Sequence, residues 1–600
     1  MKRSRHILAI VGLLGLSCLV QTVVVRRATT TALDGVRFAR YAQEIDEQGL
    51  LPTVRAQWEQ PLFPVWVWVV HEGLESLVGN SPSIWATSVQ SAAAAASVLS
   101  VIPLYLLLVR LVGAPAALAG TLFYCLLPEV SRLGADGISD STHLLFFCVA
   151  FWATVEYFWR REGRAGRSVC PDMDSPGENA RGSRDIATRY APGASFWLLP
   201  TGVAMALALL TRAEVLVLAL AFWVGLCAFQ LVPRRRQSWT GLGTALACWM
   251  LGLAAVLGPY FASVGALQPQ SALARVLGRR QPKPVSAAPT MAETTTAWRL
   301  ADGERTSFAE KEPGISIRRR GYAAAVSQFV RKLSDAFGYW IGALALFGAW
   351  RLRRSRVSIS ERFVQIFFVL YSLAAIAFAA AEGYLAPRHL LPLVVAGMGA
   401  AGYGTLELGR EVTAWYVARR NPLDAWPVLQ AAKRSPRCQP VGAWILVLLA
   451  AAACLPQTLI RHHSSRLGHR GAGEWLAGHK VAGGTVLDTQ GWTGLYSGRH
   501  TYRYTQGPAV LSDPELAYLV MEKREPGYDS ARSRTLAWLI EVAARPVAEF
   551  PQPSARRPNQ QAVVVYQWAP ERFARHLAAE TAPFPVGEYE HVRVDRGVRR

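Results

Sequence analysis

Ile7-Leu8-Ala9-Ile10-Val11-Gly12-Leu13-Leu14-Gly15-Leu16-Ser17-Cys18-Leu19-Val20-Gln21-Thr22-Val23-Val24-Val25 is a run without a single charge, preceded by Lys2, Arg3 and Arg5 and closed by Arg26-Arg27. A helix rises ~1.5 Å per residue, so ~20 apolar residues cross the ~30 Å of bilayer hydrocarbon. The run reads as a membrane span. No A-x-A cleavage site follows it, so it reads as an uncleaved first helix rather than a removed signal peptide. The pattern recurs down the chain, for example at Ser83–Val109 and Ser238–Leu267. Threading such runs gives about eleven spans, at 7–25, 83–109, 112–130, 141–159, 195–211, 214–232, 239–262, 336–350, 363–381, 387–406 and 441–460. The expected fold is an α-helical polytopic membrane protein over residues 1–460, with long outer loops at 26–82 and 263–335.

The 600 residues are 51% hydrophobic and carry a net charge of +22. In a soluble protein that charge would suggest nucleic acid. Here the cations flank the apolar runs: Arg160, Arg161, Arg164 and Arg167, then Arg234–Arg236, then Arg351, Arg353, Arg354 and Arg356. Short loops on the other side hold one arginine each, Arg132, Arg212 and Arg388. This asymmetry is the positive-inside pattern. It places the N-terminus and the 160–194 and 407–440 loops in the cytoplasm, and it assigns the cations to topology and membrane lipid, with no nucleic acid partner. Of eight cysteines, Cys18, Cys125, Cys148, Cys227, Cys248 and Cys454 lie in apolar runs, and Cys170 and Cys438 in basic loops. With no CxxC pair, neither a disulfide framework nor a structural zinc site is expected.

Three outer segments are long. The first holds a helical stretch, Asp34–Gln48, and a Pro-bounded aromatic stretch, Pro61–Trp68, which reads as a helix along the membrane surface. The second passes from a loose Pro/Ala/Thr stretch, Pro282–Thr296, to a basic amphipathic stretch, Arg318–Asp335. That stretch reads either as a surface helix or as the wall of a lipid-facing cavity. The third is the tail, 461–600, where β-rich runs (Thr485–Leu487, Tyr518–Val520, Ala562–Trp568) alternate with helical ones such as Ser533–Ala544. It reads as a small extracytoplasmic α/β domain.

Under this topology the polar segments 34–59, 132–143, 211–214 and 382–389, with the tail, converge on the outer face. Asp34 follows the first span. It is either a base near the apolar boundary or the N-cap of the next helix. Asp136 and Asp140 are four residues apart, which on a helical turn would put them on one face, and His143 follows. They suit substrate orientation or a hard-cation site, and Asp140 equally suits capping the next span. Arg212 with Glu214, and Arg388 with His389, interrupt apolar stretches. Ionisable groups at such depth mark function; Arg388 offers a fork for phosphate or snorkels to the interface. Glu59 completes the set of substrate-binding candidates. Asp172-Met173-Asp174 spells D-x-D, but its loop is too short for a nucleotide-binding domain. No P-loop, H-E-x-x-H or G-x-S-x-G pattern is present.

The ordered set resembles the GT-C membrane glycosyltransferases, in particular glycosyltransferase family 39 and its aminoarabinose-transferase relatives. The resemblance covers roughly residues 5–410. It rests on Asp34 with Arg40-Tyr41-Ala42, Gln60-Pro61-Leu62-Phe63-Pro64, the Asp136/Asp140 loop, Leu210-Thr211-Arg212 and Arg388-His389. Two positions depart. Gly35 stands where the family often has a second acid, and Gln60 where it often has His. The resemblance implies inverting transfer of a sugar from a polyprenyl-phosphate donor to a protein, lipid or glycan. Asp34 would be the base, and Arg212 and Arg388 would meet the leaving phosphate. It implies no obligatory cofactor and leaves a divalent cation open. The alternative is a transporter or flippase of a lipid-linked substrate, which would place its polar groups at the bilayer midplane between repeated halves.

Overall fold

The computed structural model describes residues 2–57, 59–162, 194–231, 238–265, 321–353, 358–420, 441–479, 484–511, 513–528, 530–551 and 562–580. The chain divides into two compact units. One comprises Met1–Pro282 with Ile317–Ser464, the other Lys283–Ser316 with Ser465–Arg600.

The helices of the first unit, in order, are α1 (Lys2–Arg27), α2 (Leu33–Gln48), α3 (Leu50–Ala56), α4 (Leu62–Val78), α5 (Ile84–Leu99), α6 (Val101–Val112), α7 (Ala114–Leu126), α8 (Pro128–Asp136) and α9 (Asp140–Arg161). They continue with α10 (Leu198–Leu209), α11 (Val215–Gln230), α12 (Trp239–Val264), α13 (Tyr322–Phe337), α14 (Tyr339–Leu352), α15 (Ile359–Glu382), α16 (Leu391–Arg420) and α17 (Val441–Thr458). Each of the eleven expected spans falls on helix. Among the described residues seven helices are long and apolar enough to cross a membrane, and α7 with α8, bent by 47°, make an eighth if counted as one span. The segments expected at 195–211, 214–232 and 336–350 form shorter helices. The last of these, α14, has 14 residues, or ~21 Å of rise. The chain is a multi-pass membrane protein. Residues 163–193 of the 160–194 loop, the Arg234–Arg236 cluster, Arg354, Arg356, Pro282–Thr296 and Arg318 lie outside the described residues. The loop expected from residue 407 begins as helix, because α16 runs on to Arg420.

Local chemistry sets the ends. Ser358 and Glu361 form a reciprocal capping box that starts α15. Pro128 disfavours helix at Leu127 and bends α7 away from α8. Helices in lipid gain little from hydrophobicity and associate through close backbone packing. At the α14–α16 crossing a Cβ on Gly348 would lie 1.9 Å from the Ala400 carbonyl oxygen, and one on Gly404 2.2 Å from that of Leu344. Only glycine permits that approach. Phenylalanines fill the centre, with Phe151 and Phe367 at 5.0 Å and Phe158 and Phe363 at 5.1 Å between ring centres, joining α9 to α15.

At the arginine-rich end of the bundle, Glu156 of α9 is buried between Arg110 and Arg160, each at 2.7 Å. Removing an ion from water is costly, and the two arginines offset it. The expected basic amphipathic stretch is α13. It turns Ala325, Phe329 and Phe337 inward and leaves Tyr322, Val326 and Val330 exposed.

The second unit is the small α/β domain. Its helices are α18 (Leu467–Gly478), α19 (Gly494–Ser497), α20 (Gly507–Val510), α21 (Ala531–Ala543) and α22 (Pro570–Glu580). Its strands are β1 (Thr485–Asp488), β2 (Thr501–Arg503), β3 (Leu516–Glu522), β4 (Ala544–Phe550) and β5 (Val563–Trp568). The five strands run in the order β2-β1-β3-β5-β4. β1 is parallel to β2 and β3, and β5 is antiparallel to β3 and β4. Side chains alternate across a strand. Val486, Tyr518 and Val565 therefore pack on Ala472 and Leu476 of α18, while Leu487, Leu519 and Val564 pack on Leu536 and Leu539 of α21 and Phe573 of α22.

Candidate active site at the helix ends

Asp34 is the second residue of α2, whose N-cap position is Ala32 with no side-chain cap. The capping alternative for Asp34 therefore does not hold. Its carboxylate instead lies 3.1 Å from Arg388 Nη2 and 3.8 Å from Arg37 Nη1. Arg37 sits one turn further along α2 and also donates to Glu59. Asp34 and Asp140 both occupy the first turn of a helix, where the helix dipole favours a negative charge.

Asp140 is the first residue of α9, after Ser139 at the cap, and it caps nothing. Its carboxylate lies 2.7 Å from Arg212 Nη1. Arg212 follows α10 and donates through Nε (3.0 Å) and Nη2 (2.6 Å) to Glu214. Burial alone would raise the Glu214 carboxyl, but the Arg212 guanidinium beside it holds it well below the usual carboxylate range. Asp140 and Asp34 both act electrostatically on Arg388, which links the two groups of ion pairs into one.

His143, one turn into α9, is buried, with Nδ1 3.3 Å from the Ala208 carbonyl oxygen and 3.4 Å from the Thr211 hydroxyl. His389 follows Arg388 in a 3₁₀ turn, Pro387–Leu390. Its ring stands edge-on to Phe378 (5.5 Å) and Tyr384 (5.7 Å), and its carbonyl accepts from the Tyr371 hydroxyl at 2.8 Å. Four buried atoms here have no hydrogen-bond partner among the described residues: His143 Nε2, Glu214 Oε2, Arg388 Nε and His389 Nδ1. Buried polar atoms are nearly always paired, so four orphans in one group leave room for polar atoms of a ligand or water.

Asp136 departs from expectation. α8 ends at Gly137, which takes a left-handed φ of 64°. That break separates Asp136 from Asp140, and they do not share a helical face. Asp136 instead pairs with His463 Nε2 at 2.6 Å and Arg132 Nε at 3.4 Å. The α8–α9 turn also presses on α2. The Asp136 carbonyl accepts from Ala32 N–H at 2.9 Å, and a Cβ on Gly35 would lie 2.7 Å from that same oxygen. The residue after Asp34 is glycine because no side chain fits there. An acid at 35 would collide with the turn.

The structure thus brings Asp34, Glu59, Asp140, His143, Arg212, Glu214, Arg388 and His389 to one end of the bundle, with Asp136 beside them under Gly35. Arg37 was legible as the residue three after Asp34 on a predicted helix, yet sequence reasoning passed over it. Tyr371 and His463 carry no sequence signal, since only the fold places them here. Among the described residues no group of three His, Cys, Asp or Glu side chains is arranged to hold a metal ion.

No family model and no curated protein matches the chain. Solved structures do. The chain shares its overall fold with the polytopic structures that follow. ArnT from Cupriavidus metallidurans, bound to undecaprenyl phosphate, is 14% identical with a TM-score of 0.53, over 93% of this chain and 97% of that one. ArnT in the apo state is 14% identical with a TM-score of 0.53, over 95% and 99%. The Archaeoglobus fulgidus oligosaccharyltransferase in the apo form is 11% identical with a TM-score of 0.48, over 86% and 70%.

Proposed function

We propose that this protein is a glycosyltransferase that moves a sugar from a polyprenyl-phosphate-linked donor to a protein, lipid or glycan acceptor. We place the reaction at the outer face of the cytoplasmic membrane, with the N-terminus inside and the C-terminal domain outside, on the strength of the arginine asymmetry. The carrying observation is the 3.1 Å pairing of Asp34, in the first turn of α2, with Arg388, just before the apolar helix α16. A carboxylate beside a cation at the start of an apolar helix suits a lipid phosphate and the proton transfer that its departure needs. ArnT, which shares the fold, has been seen with undecaprenyl phosphate.

In this reading Asp34 accepts the proton of the acceptor hydroxyl or amine as that atom attacks the anomeric carbon. The bond from the anomeric carbon to the phosphate oxygen breaks, and the electron pair leaves with the lipid phosphate. Attack opposite the leaving group inverts the anomeric centre. Arg388, whose Nε has no partner among the described residues, receives the developing charge. Arg212 is already committed to Asp140 and Glu214 through three nitrogens, so we assign it the positioning of those carboxylates rather than first contact with phosphate. The orphan atoms of His143, Glu214 and His389 are assigned to polar groups of the sugar. Ionisable groups at helix ends suit surface chemistry better than a midplane transport site.

The test is transfer from a panel of polyprenyl-phosphate sugars to membrane extract, wild type against Asp34→Asn. A general base contributes ~10²–10⁴-fold, and the Asn variant should lose that much while inserting and folding normally. Wild-type activity in Asp34→Asn would remove the base from the mechanism.

A further inference from the structure

The candidate base, Asp34, is paired with the candidate phosphate receptor, Arg388. We infer that the Asp34 carboxylate occupies the seat of the donor phosphate, so that donor binding frees the base. The inference rests on the glycosyltransferase reading above and deepens it: the site is switched on by its own donor.

The geometry carries this in three steps. Arg388 Nη2 lies 3.1 Å from Asp34 Oδ2, between residues 354 apart in the chain. This is an arrangement of the tertiary fold and not an incidental helix-neighbour pair. The other arginines are engaged. Arg212 spends Nε, Nη1 and Nη2 on Glu214 and Asp140, and Arg37 donates to Glu59. An arriving phosphate therefore gains most at Arg388, whose Nε has no hydrogen-bond partner among the described residues. Finally, phosphate presents several oxygens to the planar guanidinium fork, whereas Asp34 meets Nη2 through Oδ2. Bidentate, charge-assisted contacts favour the phosphate.

The exchange changes the base. While Arg388 Nη2 donates to Oδ2 at 3.1 Å, that oxygen is occupied and an acceptor hydroxyl or amine must displace the guanidinium to reach it. When Arg388 turns to phosphate, the ion pair left to Asp34 among the described residues is the longer 3.8 Å approach of Arg37. Its Oδ2 is released for the acceptor proton. The acceptor therefore becomes reactive only after the donor is seated, and departure of the lipid phosphate returns Arg388 to Asp34.

The experiment is equilibrium binding of undecaprenyl phosphate to the purified full chain in nanodiscs, with no acceptor present and with undecaprenol as the uncharged control. Removing a part-exposed competing carboxylate is worth about fivefold. Asp34→Asn should therefore bind undecaprenyl phosphate about fivefold more tightly than wild type, while undecaprenol binding is unchanged. In an Arg388→Gln background Asp34→Asn should bring no gain. Glu59→Gln removes a negative charge from the same neighbourhood without freeing Arg388, and it should gain much less. Unchanged or weaker binding by Asp34→Asn overturns the inference, as does an equal gain from Glu59→Gln or a gain that survives loss of Arg388. Binding of undecaprenyl phosphate no better than undecaprenol by the wild type would instead overturn the donor assignment itself.

Discussion

Arg212 is the cation whose removal the structure prices most clearly. Its side chain is 20% exposed, that of Asp140 8% and that of Glu214 30%. Arg212→Leu would leave both carboxylates beside the phenyl-lined core with no counter-charge from this residue. Breaking one partner of a buried ion pair costs roughly 3–5 kcal/mol. The exposure of Glu214 argues for the lower end, about 3 kcal/mol. Replacing all three charged groups together (Arg212→Leu, Asp140→Asn, Glu214→Gln) removes the unpaired ions and should recover most of the loss, because a whole buried network is often neutral to delete. The assay is apparent unfolding temperature and detergent-resistant folded fraction for wild type, single and triple variants. The pH dependence has a definite sign. The Glu214 carboxyl is held below its ordinary value, so its contribution is fully present above about pH 4.3, the ordinary glutamate value, and is lost only as the pH falls further. The part of the stability that rests on Glu214 should therefore be flat from neutral pH to about 5. A single variant as stable as wild type, or a triple variant no better than the single, would refute the idea that Arg212 neutralises two buried acids.

Other expectations follow from the same geometry. Arg388→Lys should weaken donor use and Arg388→Ala should weaken it further, with acceptor dependence little changed, because a lysine offers a point charge in place of a fork; wild-type donor kinetics in the Lys variant would restore the snorkelling account. Gly35→Ala places a Cβ 2.7 Å from the Asp136 carbonyl oxygen. It should cost ~1–3 kcal/mol of stability and lower kcat by displacing Asp34, and an Ala variant with unchanged kcat would show that the close approach does not position the base. Reporter fusions at residues 175 and 500 should sit on opposite sides of the membrane, the first cytoplasmic; the same side for both would sink the orientation.

Apolar run length alone settled that the chain is helical and crosses the membrane many times. In lipid every backbone group must be bonded within its own segment, so hydropathy and helix become one signal. The α/β tail was legible for the related reason that strand periodicity is local. Helices α10, α11 and α14 were visible as elements, but their shortness was not, because where a helix stops depends on packing against its neighbours. The site divided along the same line. Residue type and position at span ends picked out Asp34, Asp140, Arg212, Glu214 and Arg388 as ionisable groups in an expensive place. Their partners are another matter. Asp34 reaches Arg388 across 354 residues, and Asp136 reaches His463 across 327. Neither distance leaves a trace in local pattern. Asp136 and Asp140, four apart, invited a shared helical face, and a single left-handed glycine at 137 separates them. Gly35 looked like a lost acid until the α8–α9 turn was seen lying against it. Which groups are chargeable is written along the chain. Which charges neutralise which is decided only when helices distant in sequence end at the same depth, because ion pairing acts through space over a few ångströms.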